Sequence, residues 1–339
     1  MKHTYTLSIS LPTLVGSALV ALMCVACGHK STAPAADTTD SVATVGPAFS
    51  EDSAYHHIKV QCDFGPRTMN SEAHEHCGQY IARELERLGC KVTLQRATFT
   101  RFDGLRMKGY NIIAETRPEA TKRILICTHW DSRPWCDQDP DSTKWHTPVL
   151  AANDGASGVG VILELARLIK QDSLPYGVDF VCFDAEDVGQ PQWEDQGGED
   201  ESDWCLGAQY WARHPHTGAI KYGILLDMVG GVGAHFYQEG YSQRYANDVV
   251  TRVWDAARSA GYGDFFPQEQ GGYITDDHLP LNRVLGLPTI DIIPYYPTSE
   301  PAFGPTWHTS QDNLDNISTA TLKAVGQTLV QLLYSQSDL

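Results

Sequence analysis

From position 70 onward, segments with helical periodicity alternate with short runs of continuous apolar residues, the signature of an α/β protein. Ser71 can cap a helix reaching about position 88, and Gly89 stands where helices commonly end. Residues 91–100 and 107–115 read as strands. The runs 123–128 and 178–183 are apolar throughout, as strands covered on both faces require. Between them, 155–170 is apolar nearly all round and predicts a buried helix. A helix over 206–213, a strand over 222–226, a helix over 247–260, a strand over 287–293 and a helix over 319–334 complete the series. The order predicts a three-layer αβα sandwich around a mixed, largely parallel twisted sheet. No repeat and no Pro/Gly/Ser linker interrupts the chain after Pro47, so 49–339 reads as a single domain.

The N-terminus follows another pattern. Lys2 precedes an uncharged stretch to Ala26 rich in Leu, Val and Ala, which predicts an export signal over 1–26. Small residues before Cys27 resemble a bacterial lipoprotein processing site, with Cys27 as the lipidated residue. Residues 27–48 hold almost no large apolar side chain and read as a flexible tether. The expected location is the periplasm, with the protein tethered to a membrane.

Composition narrows the function. The 339 residues are 42% hydrophobic and 20% charged, which is the balance of a packed protein and not of a disordered one. With 25 basic and 42 acidic residues the net charge is −17, and no basic run is present to neutralise phosphates, so nucleic acid is excluded as a partner. Beyond Cys27 an odd number of cysteines remains, with no zinc-like Cys-x-x-Cys pair, and none is assigned a catalytic role.

The candidate chemistry stands at the ends of the expected strands. His129-Trp130-Asp131 follows the first apolar run, Asp184-Ala185-Glu186-Asp187 the second, Asp227 the third, and Trp307-His308 lies in the loop beyond the fourth. Asp154 immediately precedes the buried helix. At the carboxyl ends of parallel strands such residues converge on one crevice. Taken singly, each is more often a loop cap or a solvated turn. Together, so many acids would repel one another unless protonated, solvated or bound to a cation, and carboxylates mixed with imidazole suit Zn²⁺.

Other motifs are weak. His74-Glu75-His76 lacks the i, i+4 histidine pair of a helical zinc site, and the glycines around Ser157 match neither a nucleophile elbow nor a dinucleotide fingerprint. Asp137-Gln138-Asp139-Pro140-Asp141 lacks the turn glycine and terminal Glu of a calcium loop and reads as a solvated acidic loop, as does the stretch 194–203.

At these residues the chain resembles the zinc-dependent exopeptidase superfamily related to the M28 aminopeptidases, and within it the animal-type glutaminyl cyclases found also in bacteria. The matching segments are His129-Trp130-Asp131, Ala152-Asn153-Asp154-Gly155, Phe183-Asp184-Ala185-Glu186-Asp187, Leu226-Asp227, Asp276-Asp277-His278 and Trp307-His308. The resemblance implies one zinc ion held by Asp154, Asp187 and His308, with Glu186 as general acid/base and Asp227 and Asp276 as a carboxylate relay. Trp193 and Trp307 would wall the substrate pocket. Position 187 is Asp where better-known members have Glu. The implied reaction is cyclisation of N-terminal Gln of peptides and proteins to pyroglutamate with release of ammonia. Two alternatives use the same parts: a two-metal aminopeptidase with Asp154 bridging and His129 and Asp227 on the second ion, and a catalytically silent binding protein.

Overall fold

The computed structural model describes residues 45–194 and 201–336. The export segment with Cys27, most of the tether and the middle of the acidic stretch 194–203 lie outside the described residues. The described elements belong to one compact unit, Ser41–Leu339.

Six strands form one sheet in the order β1-β2-β4-β3-β5-β6. β1 (Lys91–Thr100), β2 (Arg106–Glu115) and β4 (Gly177–Phe183) pair antiparallel, whereas β4, β3 (Arg123–His129), β5 (Ile220–Leu226) and β6 (Thr289–Ile292) run parallel. Every residue of β3 and β4 is buried, which is why these two runs carry no hydrophobic–polar alternation. Their side chains still alternate between two cores, as the period of a strand demands. Ile124, Ile126, Val178 and Phe180 join one apolar cluster, and Leu125, Cys127, Val181 and Phe183 join another.

The larger cluster lies under α1 (Glu51–Asp63), α2 (Glu72–Arg87), α3 (Ala156–Gln171), α5 (Gly240–Ser259) and α7 (Thr319–Ser335). The smaller lies under α4 (Leu206–Arg213) and the segment where α6 (His278–Pro280) runs into a π-helical turn, Leu281–Leu285. The architecture is thus the expected αβα sandwich, with unequal outer layers.

α1, α5 and β6 depart from the sequence pattern, and α6 with its π-helical turn is not foreseen by it. α1 is unannounced because it buries His57 and Gln61 beside Ala54 and Ile58, which blurs its apolar stripe. α5 starts at Gly240, seven residues early, since Glu239 caps it by accepting from the amides of Tyr241 and Ser242 and the helix then breaks at Ala246. β6 is limited to four residues by its pairing with β5. All seven described cysteines are free and buried.

Candidate active site

Because β3 to β6 run in one sense, their carboxyl ends share one edge of the sheet, and loops from four strand ends meet there. His129 closes β3, Glu186 and Asp187 occupy the turn after β4, and Asp227 follows β5. Asp154 stands just before α3, Asp276 just before α6 and His308 in the loop before α7.

These loops bring the candidates together. His308 Nε2 lies 3.2 Å from Asp187 Oδ1 and 3.8 Å from Asp154 Oδ2. One ligand-capable atom from each of the three falls within 4.8 Å of the others, and all three residues are buried. A second group shares Asp154: His129 Nε2 is 2.9 Å from Asp154 Oδ1 and 3.2 Å from Asp227 Oδ1. Glu186 stands beside both, with Oε2 3.8 Å from His129 Nδ1.

Local backbone features set this geometry. Ala185, Met228 and His308 adopt φ values of 56°, 50° and 53°, a left-handed conformation costly for any residue with a Cβ. Each bends the chain beside a site residue, and hydrogen bonds from elsewhere hold the bends. Asp131 accepts from the amides of Glu186 and Asp187 at 3.1 and 3.2 Å, tying the turn after β4 to the end of β3. Asp312 accepts from the amides of Asn153 and Asp154 at 2.7 and 3.1 Å. Gly155 lies so close to β3 that a Cβ there would sit 2.5 Å from the His129 carbonyl oxygen.

The electrostatics reflect crowding of like charges away from water. Burial pushes Glu186 well above the usual carboxylate range; neighbouring His129 opposes this, and Asp187, Asp276 and Asp277 add to it. Burial likewise raises Asp187 against the pull of His308 and Arg133. Asp227 is pushed up to about 6, by burial and by Asp154. Asp276 reaches about 7, through burial and Asp227. Only at Asp154 do His129, His308 and Arg133 outweigh burial and lower the value.

The site opens into a cavity of about 330 Å³. Asp154, Glu186, Asp187, Asp227, Asp276 and His308 line it together with apolar side chains that include Met228, Ile274, Ile293, Phe303, Trp204 and Trp307. Trp307 stacks on the His308 ring with centroids 3.7 Å apart, and Trp204 lies parallel to the same ring at 6.2 Å. The expected wall Trp193 is elsewhere: it packs against Trp135, Trp145 and His146 and does not line this cavity. Trp204, eleven positions further on, takes the place expected of it. Its indole fits because Gly189, where a Cβ would come within 2.1 Å of the ring, has no side chain.

The loop after β3 also needs correction. Asp137 and Asp139 are not solvated but 1% and 4% exposed. Asp137 makes two 2.7 Å hydrogen bonds with buried Arg133 and lies 3.6 Å from His308 Nδ1. Arg133 in turn reaches Asp187 at 3.1 Å and lies over the Trp204 ring. Asp139 accepts from the amide and hydroxyl of Ser310. The acidic run therefore braces two candidate ligands from behind. Arg133 stands only four residues before Asp137, whereas Ser310, the partner of Asp139, comes from far along the chain.

A cavity at the carboxyl edge of a mixed αβα sheet, lined by two carboxylates and an imidazole in ligand array, defines an α/β protein of the zinc-exopeptidase type. The chain belongs to peptidase family M28, whose family model matches residues 111–333. It is similar to the glutaminyl cyclase of Bacteroides thetaiotaomicron, solved bound to N-acetylhistamine, at 50% identity and a TM-score of 0.84, covering 86% of this chain and 100% of that one. It is 25% identical over 288 residues to glutaminyl-peptide cyclotransferase of Drosophila melanogaster, covering 76% of this chain and 73% of the relative. It is also 27% identical over 237 residues to Aminopeptidase YwaD of Bacillus subtilis, covering 66% of this chain and only 44% of the relative's length.

Proposed function

We propose that this protein is a glutaminyl-peptide cyclotransferase that converts N-terminal glutamine of peptides and proteins to pyroglutamate. The substrate's α-amine forms a bond to the side-chain amide carbon, the bond from that carbon to the amide nitrogen breaks, and ammonia leaves. The proton given up by the amine departs on the ammonia. Since the nucleophile is tethered, holding the chain folded back supplies much of the rate.

Glu186 is placed to carry the proton. It lines the cavity, and burial lifts its carboxyl well above the usual carboxylate range, which suits a group that must both accept and donate a proton. Asp227 and Asp276 line the same cavity and form the relay that stabilises either state of Glu186. Trp204 and Trp307 wall the substrate side chain and exclude water, which would divert the amide toward hydrolysis.

Asp154, Asp187 and His308 fit one zinc ion per chain. They are buried and convergent, and Asp137 behind His308 Nδ1 can orient the imidazole. Bound there, zinc supplies a Lewis acid for the amide carbonyl.

The observation that carries this reading is the Trp307 indole stacked on the His308 ring with the Trp204 indole parallel to it, so that two aromatic faces wall the pocket beside the candidate ligands. The test is to give the purified protein a Gln-initiated peptide and follow it by mass spectrometry. Loss of ammonia from an otherwise intact peptide is expected. Release of a free N-terminal residue would instead establish the second reading, a two-metal aminopeptidase, which the ligand-capable group His129, Asp154 and Asp227 favours.

The domain from position 49 onward would work outside the cytosol, carried there by the signal 1–26 and tethered through a lipid on Cys27. Metabolic labelling with a radioactive fatty acid, present on the wild type and absent from Cys27→Ser, is the expected result.

A further inference from the structure

Asp276 belongs to a buried polar group whose other members the reaction above does not use. Asp276, Asp277 and His278 lead into α6, Asp291 lies in β6, and Glu239 caps α5; all are at most 3% exposed. Among the described residues, fourteen buried side-chain atoms have no hydrogen-bond partner, and seven of them belong to Asp276, Asp277, His278 and Asp291. No Lys or Arg among the described residues lies within ion-pair distance of this group. Unpaired charge buried in this way is strongly unfavourable, so the group must be neutralised from within or by something it holds.

Its members differ in what they can do. Glu239 is committed as a carboxylate: it accepts from the amides of Tyr241, Ser242 and Ile274 and from the Ser242 hydroxyl, and lies 3.2 Å from His278 Nε2. One oxygen of Asp276 is taken by the Asp277 amide at 2.5 Å, which leaves Oδ2. Asp291 has both carboxyl oxygens free, one of them 3.9 Å from His278 Nδ1, and ligand-capable atoms of Asp276, His278 and Asp291 lie within 4.8 Å of one another. Burial first, then Asp276, Asp227 and Glu239, pushes the Asp291 carboxyl far above its ordinary range.

We infer that Asp291 is a positioning residue: it keeps a proton and donates it in a hydrogen bond to Asp276 Oδ2, so that the relay carboxylate stays in place and the group carries one negative charge fewer. Asp276 can then face Glu186 without a second carboxylate pushing on it from behind. The inference rests on the cyclase reading for its effect on rate, but not for the proton itself.

The test compares Asp291→Leu with Asp291→Asn. Leucine removes the donor at similar size, and kcat for a Gln-initiated peptide is expected to fall about tenfold or more, with KM little changed. Asparagine keeps an uncharged donor and is expected to restore most of that loss. In the unliganded wild type at neutral pH, the infrared C=O stretch of a protonated carboxyl should be present and should diminish in Asp291→Asn. The inference is overturned if Asn is as slow as Leu, if the infrared difference is absent, or if Asp291→Asn loses one equivalent of metal on elemental assay. The last result would mean that Asp276, His278 and Asp291 hold a cation. A wild type that does not cyclise at all overturns the proposed function while leaving the infrared result to decide this one.

Discussion

The two central strands treat buried charge in opposite ways at their two ends. Where β3 and β4 begin, Arg123 Nε donates to both oxygens of Asp179 at 2.9 Å, and its remaining donors reach the carbonyls of Thr116 and Arg117. Both side chains are essentially inaccessible, and a Cβ on Gly177 would collide with the guanidinium. This pair is closed, with its donors and acceptors matched inside the fold. Where the same strands end, carboxylates outnumber cations, and Asp154, Asp187, Glu186 and Asp227 push on one another. A fold that can balance a buried acid at one end leaves it unbalanced at the other only where something else is to be received. That contrast separates a structural ion pair from a site better than burial does, since both are buried.

Substitutions can break each end separately. The largest effect is expected from Asp154→Ala or His308→Ala, which should abolish bound zinc and cyclisation together; a variant with full metal content on elemental assay would remove that residue from the ligand set. Next comes Glu186→Gln, expected to keep its metal and melting temperature while turnover drops ~10² to 10⁴-fold, as steady-state kinetics would show. At the opposite end, Asp179→Ala strands a buried guanidinium and should cost about 3–5 kcal/mol in urea unfolding, with kcat of the folded enzyme unchanged. Although burial raises Asp179, His216 and Arg123 outweigh it and leave the carboxyl below its ordinary value. Its contribution is therefore present above the normal Asp range and lost as pH falls through the lowered value, a loss Asp179→Ala should not show. The smallest effect is expected from Asp137→Asn, which weakens the support behind His308 and should reduce zinc affinity by roughly 10 to 100-fold in a chelator competition.

Much of this contrast was legible in the chain itself. Continuous apolar runs marked β3 and β4, and the placement of His129, Asp154, Asp187, Asp227 and His308 at expected strand ends was enough to make them neighbours, because parallel strands leave their carboxyl ends on one side. What stayed hidden depends on how loops fold and on partners distant in sequence. Asp137 looked solvated although Arg133 is only four residues away, because the loop must turn to bring the two together, and Asp139 looked solvated because its partner Ser310 comes from far along the chain. Trp193 and Trp204 sit in one connection, and nothing local says which of them faces the crevice; Gly189, which makes room for the second, was the one available hint. The helix α1 escaped because its buried face includes His57 and Gln61, polar residues whose partners across the fold are Tyr80 and the Ala156 carbonyl.

The left-handed residues at the rim set durability and speed against each other. Glycine would adopt the backbone of Ala185 or Met228 without steric penalty, so such a replacement would ease the native chain there. It would also free the hinge beside Glu186 or Asp227 to wander, and a more relaxed molecule would be the slower one.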